Sequence, residues 1–413
     1  MRNKINSMFK WFYPGIGVKR WIGLSAFGVI ILIFAATRLR SDEFLGIQIL
    51  DSVILFSGII ILILGVKRMM RSFIAVFVPA SRGYELFDII YHNKQLNRGP
   101  KVTVVGGGTG LSVLLTGLKQ FTSNISAIVT VADDGGSSGR IREEFGMLPP
   151  GDIRNCLVAL ADAPTLMRDL FQFRFDTNSQ LSGHSFGNLF ITVMTKLTGD
   201  FEKAIKETSK VLALRGQVIP STLDKVVLVA EHKDGTTTIG ENKIPKTHRP
   251  IKRVYLNPLK PQATPDAIKA IKEAQIIVLG PGSLYTSIIP NLLIKEISEE
   301  IALSDAVKVY VCNAMTQPGE TDGYSASDHI RVLLAHSHPK VVDYCIVNTA
   351  EVPVDILRRY AQQNSYLVTN DRRKIEDMGY RVIEDDFGII EDTVVRHEPA
   401  KLAKIILGLI EEV

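Results

Sequence analysis

Residues 101–111 read KVTVVGGGTGL, a short β-branched run followed by four glycines in five positions and then by an apolar segment. This order predicts a buried strand, a glycine-rich turn and a helix. Glycines let a backbone approach a ligand closely, and free N–H groups at a helix N-terminus favour a phosphate. No Walker lysine follows, and Leu111 stands where a dinucleotide fingerprint has its last glycine. We expect phosphate binding here, with a tight turn needed only for packing as the alternative. The residues concerned are Gly106, Gly107, Gly108, Thr109 and Gly110.

Short β-branched runs alternate with longer helical segments from residue 101 onwards. Candidate strands cover 101–105, 125–131, 225–230, 275–279, 306–312 and 344–347. Candidate helices cover 111–120, 152–160, 188–197, 201–214, 266–273, 291–303, 327–335, 353–363 and 400–410. Apolar strands separated by helices predict an α/β fold with a mostly parallel sheet covered on both faces. The stretch 229–254 departs from this pattern, because a turn at Asp234 and Gly235 predicts an inserted β-hairpin.

Ligands of open parallel sheets bind beyond the carboxyl ends of the strands, and the loop 132–140 (ADDGGSSGR) follows such an end. The adjacent carboxylates of Asp133 and Asp134 can receive a ribose hydroxyl or hold a hydrated Mg²⁺ together with substrate phosphates. They can also act as a base on a hydroxyl nucleophile, which makes both residues candidate catalytic and metal-binding groups if the protein is an enzyme. A solvated acidic turn is the alternative. Further candidate contacts in this loop are Ser137, Ser138 and Arg140.

Two further loops combine glycine with polar groups at predicted helix starts. In 149–155 (PPGDIRN), Asp152 can cap a helix, whereas Arg154 in the first turn opposes the helix dipole and so suggests an anionic partner. An ordinary salt bridge is the alternative for Arg154. The loop 183–188 (GHSFGN) adds Asn188, and its His184 is equally well explained as a structural residue. The candidate ligand contacts in these loops are Asp152, Arg154, Asn155 and Asn188.

The second half of the chain repeats the phosphate-friendly composition in 280–287 (GPGSLYTS), after the candidate strand 275–279. Tyr285 in this loop could stack on a base or a sugar. Asn313 begins a long polar loop, 313–322, at another strand end. His336 and His338, two positions apart, face different sides of a helix and are interpreted as surface residues. The candidate phosphate contacts are Gly280, Gly282, Ser283, Tyr285 and Thr286.

The formal charge of +5 is unevenly distributed along the 413 residues. Residues 1–98 hold 13 Lys and Arg against 5 Asp and Glu, which leaves a net −3 for residues 99–413. Nucleic-acid binding needs a basic field on the domain that makes the contact, so a nucleic-acid-binding body is excluded. The three cysteines are far apart and form no C-x-x-C pair, which argues against a disulfide framework or a structural zinc site.

Two apolar runs in the N-terminal quarter, 21–37 and 47–66, are long enough to cross a bilayer. The short linker 39–46 makes them a helical hairpin, and the Lys and Arg distribution places both ends in the cytoplasm. A cleaved signal peptide and a buried core hairpin are the alternatives. The segment 72–78 could lie in the membrane interface or form a plain linker helix.

The domains expected are therefore 1–71, a tail and transmembrane hairpin; 72–98, a membrane-proximal linker; and 99–413, a ligand-binding body. The expected location is the cell inner membrane, multi-pass, with both termini and the body in the cytoplasm. The basic N-terminal quarter matches anionic lipid headgroups. The sequence is compatible with a homo-oligomer.

Five ordered motifs give the body a recognisable resemblance: 104–111, 133–139, 149–155, 187–188 and 279–287. Together they resemble the YvcK-type gluconeogenesis factor family, which is similar to the CofD-like 2-phospho-L-lactate transferases of deazaflavin cofactor biosynthesis. The resemblance implies a Rossmann-like, doubly wound CofD-like fold and a nucleotide-sugar ligand of the UDP-N-acetylglucosamine kind. It also implies a role in cell shape and envelope synthesis during gluconeogenic growth.

In the transferase relatives the two glycine-rich loops handle a nucleotide diphosphate, and the acidic pair faces the deazaflavin acceptor. By motif, this implies nucleotide contacts for Gly107, Gly108, Thr109, Gly110, Gly282, Ser283 and Tyr285. The acceptor or metal contacts fall on Asp133 and Asp134. Soluble family members begin near the first strand, so the apolar hairpin of this chain departs from the family pattern.

Two functions follow from these observations. The first is a membrane-tethered, non-catalytic sensor of a UDP-sugar, since the loops lack an evident nucleophile. The second is a transferase acting on a deazaflavin acceptor, in which the acidic pair coordinates Mg²⁺ or accepts a proton. No cofactor is certain from the sequence, and Mg²⁺ is the possible one.

Overall fold

The computed structural model describes residues 18–38, 45–77, 94–176, 181–391 and 394–410. The chain divides into two compact units, residues 1–90 and residues 91–413. The basic residues Arg2, Lys4 and Lys10, most of the linker 39–46 and residues 78–93 lie outside the described residues.

The first unit contains two long helices, α1 (Val18–Arg38) and α2 (Leu45–Phe77). Both are long and apolar enough to cross a membrane, over Arg20–Arg38 and Ile49–Met70. The second helix continues to Phe77 and so includes nearly all of the segment 72–78.

Small residues line the contact between α1 and α2. A Cβ added to Gly28 would lie 2.8 Å from the main-chain nitrogen of Leu62, and one added to Gly65 would lie 2.5 Å from Ser25 Oγ. Large apolar side chains point the other way: Ile30 is 62% exposed and Phe56 is 65% exposed. The outer surface of this helix pair therefore carries bulky apolar groups.

The second unit alternates strands and helices. In chain order they are β1 (Val102–Gly106), α3 (Gly108–Leu118), β2 (Ile125–Val129), α4 (Gly136–Phe145), α5 (Gly151–Leu160), α6 (Thr165–Gln172), α7 (Phe186–Thr198), α8 (Phe201–Val211), β3 (Gln217–Pro220), β4 (Val227–His232), β5 (Thr237–Ile239), β6 (Ile251–Asn257), α9 (Pro265–Glu273), β7 (Ile276–Leu279), α10 (Ile289–Leu292), α11 (Lys295–Leu303), β8 (Val307–Val311), α12 (Ala326–Ala335), β9 (Tyr344–Asn348), α13 (Val354–Gln362), α14 (Arg372–Asp377), β10 (Arg381–Asp385), β11 (Gly388–Glu391), β12 (Val394–His397) and α15 (Pro399–Gly408).

Seven strands form one parallel sheet in the order β10-β9-β8-β7-β1-β2-β3. The chain moves outward from β1 to β3, then returns to β7 on the other side of β1. The strand order therefore reverses between β1 and β7, which is the topological switch point of a doubly wound fold. Both strands are fully buried, as expected for a sheet covered by helices on both faces.

The predicted Rossmann-like parallel sheet is confirmed, with one strand wrongly placed in it. The run 225–230 corresponds to β4, which lies in a separate antiparallel sheet of order β5-β4-β6. Its apolar residues resemble those of a central strand because one face of this small sheet is buried. The hairpin expected at Asp234 and Gly235 is present and is extended by β6 to three strands.

Candidate functional site

A cavity of about 410 Å³ lies at the carboxyl ends of β1, β7 and β8. We call it the switch-point cavity, because it opens where the strand order reverses. Ligands of doubly wound sheets bind at this position. Its lining residues are Gly107–Gly110, Val113, Pro281–Ser283, Ser287, Asn313–Pro318, Tyr360, Gln363, Ser365 and Val394–His397.

The two glycine-rich loops form one wall of the cavity and touch each other. A Cβ added to Gly110 would lie 2.8 Å from the carbonyl oxygen of Pro281. Gly108 opens α3 with a φ of +68°, a conformation that favours glycine. Thr109 is exposed in the first turn of α3, beside the free N–H groups of its N-terminus.

Asn291 ties the end of β1 to the loop after β7. Its side chain is fully buried, and Nδ2 donates to the carbonyl oxygens of Gly106 at 3.1 Å and Ser287 at 2.8 Å. A π-helical turn, Leu284–Ile288, precedes it. Turns of this kind are frequent at functional sites.

The opposite wall comes from the last third of the chain. Gln317 Nε2 donates to Ser283 Oγ at 2.7 Å, which joins the polar loop 313–322 to the second glycine loop. The hydroxyl of Tyr360 accepts the main-chain N–H of Val395 at 2.9 Å, which fixes its ring at the cavity. Burial lowers the pKa of His397 to about 4, so this lining residue is neutral at pH 7. Arg396 is therefore the one charged side chain among the lining residues described, and it is exposed.

Five carboxylates, here called the acidic cluster, lie on the other side of the first glycine loop. They are Asp133, Asp134, Asp152, Glu241 and Glu320, and they act on each other electrostatically. Gly107 joins the two regions, because it lines the cavity and an added Cβ would lie 2.7 Å from Asp152 Oδ2.

Main-chain groups hold the predicted acidic pair in place. Asp133 Oδ1 accepts the N–H of Gly135 at 2.8 Å, and Asp134 Oδ1 accepts the N–H of Asn242 at 2.8 Å. Burial raises the pKa of Asp133. The side chain of Ser138 also hydrogen-bonds to the Asp133 carboxylate.

The other three acids have pKa values raised into the neutral range. Burial and the Asp133 charge raise the pKa of Asp152 to about 7. Burial and the charges of Asp133 and Asp152 raise the pKa of Glu241 to about 8. Burial raises the pKa of Glu320 to about 7, although Thr286 Oγ1 donates to its Oε1 at 3.1 Å. The cluster can therefore take up or release protons near neutral pH.

Arg154 is the buried cation beside the acidic cluster. Burial lowers its pKa to about 10, and its guanidinium donates to Ser185 Oγ and, at 2.6 Å, to Asn155 Oδ1. Both hydrogen-bond partners are neutral, while Asp133 and Asp152 act on the guanidinium electrostatically.

A group of neutral polar side chains continues from Arg154. Asn188 Nδ2 donates to Ser137 Oγ at 3.0 Å, and the same hydroxyl lies 3.0 Å from His184 Nδ1. Asn188 Oδ1 is buried with no hydrogen-bond partner in the described chain. These residues can bind a polar group without adding charge.

The structure brings most of the predicted site residues to this edge of the sheet, but not all of them point into it. Tyr285 is 1% exposed, and its hydroxyl lies 2.9 Å from that of Tyr324, so its ring packs in the core rather than facing a ligand. Thr286 is also buried, and its hydroxyl donates a hydrogen bond to Glu320. Arg140 is exposed on α4 and donates to the carbonyl of Ser182 at 2.7 Å. Ser138 contacts Asp133, and Asn313 lines the cavity.

Sequence reasoning missed Glu241, Glu320, Tyr360 and Arg396. Glu320 lies within the polar loop 313–322 and could have been noticed there. The other three carry no local motif, because tertiary packing brings them from the insertion and from the end of the chain.

A second cavity, of about 820 Å³, lies at the amino ends of β1, β2 and β3. Its charged residues are paired with each other, as in Lys101 with Glu273 at 3.0 Å and Arg215 with Asp162 at 2.9 Å. It lacks glycine-rich loops and strand carboxyl ends, so the switch-point cavity is the better candidate.

Comparison with known proteins agrees with this geometry. The family described as 2-phospho-L-lactate transferase CofD matches residues 102–388. A crystal structure of a Bacillus halodurans protein superposes with a TM-score of 0.74 at 48% identity, over 75% of this chain and 99% of that one.

Relatives are similar at the level of whole chains. The gluconeogenesis factor of Bacillus subtilis is 48% identical over 77% of this chain and all of its own length. A relative from Nostoc sp. is 47% identical over 98% of this chain and 93% of its own. The chain therefore belongs to the CofD family, within which its B. subtilis relative carries the name gluconeogenesis factor.

Proposed function

We propose that the body binds a UDP-sugar of the UDP-N-acetylglucosamine kind in the switch-point cavity and acts as a non-catalytic sensor. The observation that carries this proposal is the cavity itself: two glycine loops with a helix N-terminus on one wall and Arg396 on the other. A diphosphate suits such a site, because main-chain N–H groups and a guanidinium both favour phosphate oxygens. Tyr360 offers a fixed ring near the same space.

Calorimetry with UDP-N-acetylglucosamine tests the proposal on residues 94–413. This part corresponds to the complete B. subtilis relative, which supports its folding without the N-terminal helices. We expect saturable binding that Arg396→Ala weakens about tenfold or more. Arg373→Ala, which removes an exposed guanidinium outside the cavity, is the matched control. Absence of binding, or equal effects of the two variants, would overturn the proposal.

The wider role that we infer is regulation of cell shape and envelope synthesis during gluconeogenic growth. The relatives' name supports the metabolic part. UDP-N-acetylglucosamine is an envelope precursor, so a sensor of this ligand would report precursor supply. Deleting the gene and comparing cell width on glycolytic and gluconeogenic carbon sources tests the role, with Arg396→Ala expected to reproduce the deletion.

We also propose that α1 and α2 tether the body to the inner membrane as a hairpin with both ends in the cytoplasm. The domains would then be 1–71, 72–98 and 99–413. Bulky apolar residues on the outer surface of the helix pair support insertion into lipid. The full chain should resist alkaline extraction from membranes, and a protease should cleave both termini only when added from the cytoplasmic side.

A transferase acting on a deazaflavin acceptor is the second candidate, favoured by the acidic cluster next to the cavity. Among the described residues, no group of three or more His, Cys, Asp or Glu side chains is placed to hold a metal. Mg²⁺ would therefore depend on the carboxylates of Asp133 and Asp134 together with ligand phosphates, a ligand set that this ion accepts. These carboxylates would hold the ion or take the proton of the acceptor hydroxyl.

Incubation with the deazaflavin acceptor and lactyl-diphosphoguanosine separates the two candidates. Mg²⁺-dependent product that Asp134→Asn abolishes would establish the transferase. Metal-independent UDP-sugar binding without product would establish the sensor.

A further inference from the structure

The inserted sheet differs in charge from the body that carries it. Residues 225–260 hold eight Lys and Arg against three Asp and Glu. Residues 99–413 as a whole have a net charge of −3, so the remainder of the body has a net charge of −8. The inserted sheet is thus a basic region on an otherwise acidic body.

The strand register shows which residues share the outer face of this sheet. Ile239, Val229 and Tyr255 form one row across the three strands, and Thr237, Glu231 and Arg253 form the next. Side chains alternate between faces along a strand. The opposite face therefore carries Leu228, Ala230, Val254 and Leu256, all of which are buried in the body core.

Cations gather at the hairpin end of the outer face. Lys233 follows β4, and its N–H donates to the carbonyl of Pro250, which places it beside Arg249. Lys252 and Arg253 both pair with Glu231, at 2.7 and 2.6 Å. Four cations therefore face the two acids Glu231 and Asp234, and all four are exposed.

An exposed apolar residue lies next to these cations. Ile239 is 61% exposed, and Tyr255 is half-buried in the same row. We define the docking face as Lys233, Arg249, Lys252, Arg253, Ile239 and Tyr255. Basic groups beside an apolar and an aromatic residue match the boundary between lipid headgroups and acyl chains.

We propose that the docking face binds an anionic lipid surface and so orients the body on the membrane. Charge complementarity favours this occupant, since each Lys or Arg near an anionic surface adds to the attraction. The two candidate membrane helices of the same chain favour it too, because a tether gives the body a high effective concentration of lipid. Only this last argument rests on the proposed tethering. A nucleic acid could bind the cations through its phosphates, but the apolar side chain of Ile239 would add nothing to that binding.

Sedimentation of the body, residues 94–413, with phosphatidylcholine vesicles tests the proposal directly. We expect binding when the vesicles contain phosphatidylglycerol and little binding when they do not. Charge reversal at three positions (Lys233→Glu, Arg249→Glu, Arg253→Glu) should weaken binding on the order of 100-fold. The matched control reverses three exposed lysines outside the insertion (Lys203→Glu, Lys340→Glu, Lys404→Glu) and should retain most of the binding.

The apolar part has its own pair of variants. Ile239→Ser should weaken vesicle binding, whereas Leu303→Ser, at a leucine that is 78% exposed elsewhere, should not. Binding to duplex oligonucleotides that exceeds vesicle binding, or indifference to phosphatidylglycerol, would overturn the proposal. UDP-N-acetylglucosamine titration separates this proposal from the proposed function: a wild-type body that binds the ligand but no phosphatidylglycerol vesicles rejects the docking face alone. Unchanged ligand affinity in the triple variant shows that the charge reversals leave the fold intact.

Discussion

The main-chain N–H of Asn242 donates to Asp134 Oδ1 at 2.8 Å, across 108 residues of sequence. The same short segment reaches the other side of the site, where the carbonyl of Pro245 lies against Gly319, next to Glu320. The insertion thus holds two loops of the parallel sheet in a fixed relation. Substitution of single glycines in the insertion should show how much these contacts contribute to the stability of the body.

Gly240→Ala should destabilise the body more than Gly235→Ala, by roughly 1–3 kcal/mol in urea unfolding. Both glycines have positive φ, +108° and +83°, so an alanine is strained at either position. Only at Gly240 would the new Cβ collide with the Asp134 carboxylate, since Gly235 has open space around it. Equal losses in the two variants would show that the Asp134 contact contributes nothing.

Asn291→Ala should lower the free energy of unfolding by roughly 1–3 kcal/mol, because the buried carbonyls of Gly106 and Ser287 lose a donor. We expect UDP-sugar binding to weaken as well, since both glycine loops depend on this tie. Gln120→Ala removes an exposed side-chain bond to Thr116 and is the control. A similar midpoint for the two variants in urea would contradict the prediction.

These groups should make the protein less stable as pH rises from about 5 to about 8. Asp152, Glu241 and Glu320 have pKa values of about 7, 8 and 7 in the folded chain. Acids of the unfolded chain titrate near about pH 4, so between these values the folded chain binds more protons and the free energy of unfolding falls as pH rises. His397, with its pKa lowered to about 4, has the opposite effect between about pH 4 and 6.5, where the unfolded chain binds the extra proton, but one histidine does not outweigh the three acids.

Melting temperatures of the wild type and Glu241→Gln at about pH 6 and pH 8.5 check this sign. The variant should lose less stability on going to the higher pH, whereas Glu299→Gln, at an exposed glutamate, should behave like the wild type. If the melting temperature of the wild type instead rises above pH 7, ionisation of these buried acids does not destabilise the fold, and the prediction is wrong.

Gly28→Leu should separate α1 from α2, because a side chain there meets the backbone of Leu62. The guanidinium of Arg68 lies 4.9 Å from the ring centre of Trp21, so Trp21 fluorescence reports this contact. In a Trp11→Phe background of the full chain in vesicles, Gly28→Leu should give the emission spectrum of Arg68→Ala. Gly23→Leu, where nothing lies within 4 Å, should leave the spectrum unchanged. Identical spectra for all variants would reject close helix packing.

The central sheet could be predicted because its strands are buried on both faces and read as continuous apolar runs. Edge strands carry no such signal: β10 contains Arg381, Glu384 and Asp385, and β3 is four residues long. Helix α4 was also missed, since its sequence GSSGRIREEF has few apolar residues. Its start within the acidic loop follows from packing, where Gly139 fits against the Asp134 carbonyl.

For the site, composition predicted the loops but not what surrounds them. Glycine and hydroxyl residues after buried strands are local features, and the structure places them at the switch point. Glu241 and Arg396 come from other parts of the chain and take their significance only from their neighbours. Tyr285 shows the converse, because a loop residue suited to stacking is buried against Tyr324.

The pairing of β1 with β7 has a consequence for biosynthesis. Val102 pairs with Ile276, and the cavity between these strands also needs residues 394–397. A ribosome therefore has to make nearly the entire polypeptide before the pocket can exist, whereas α1 and α2 are complete by Phe77. Nascent chains spend most of their synthesis with the apolar helices finished and the pocket absent. Any membrane insertion of α1 and α2 can thus begin before the proposed ligand pocket has formed.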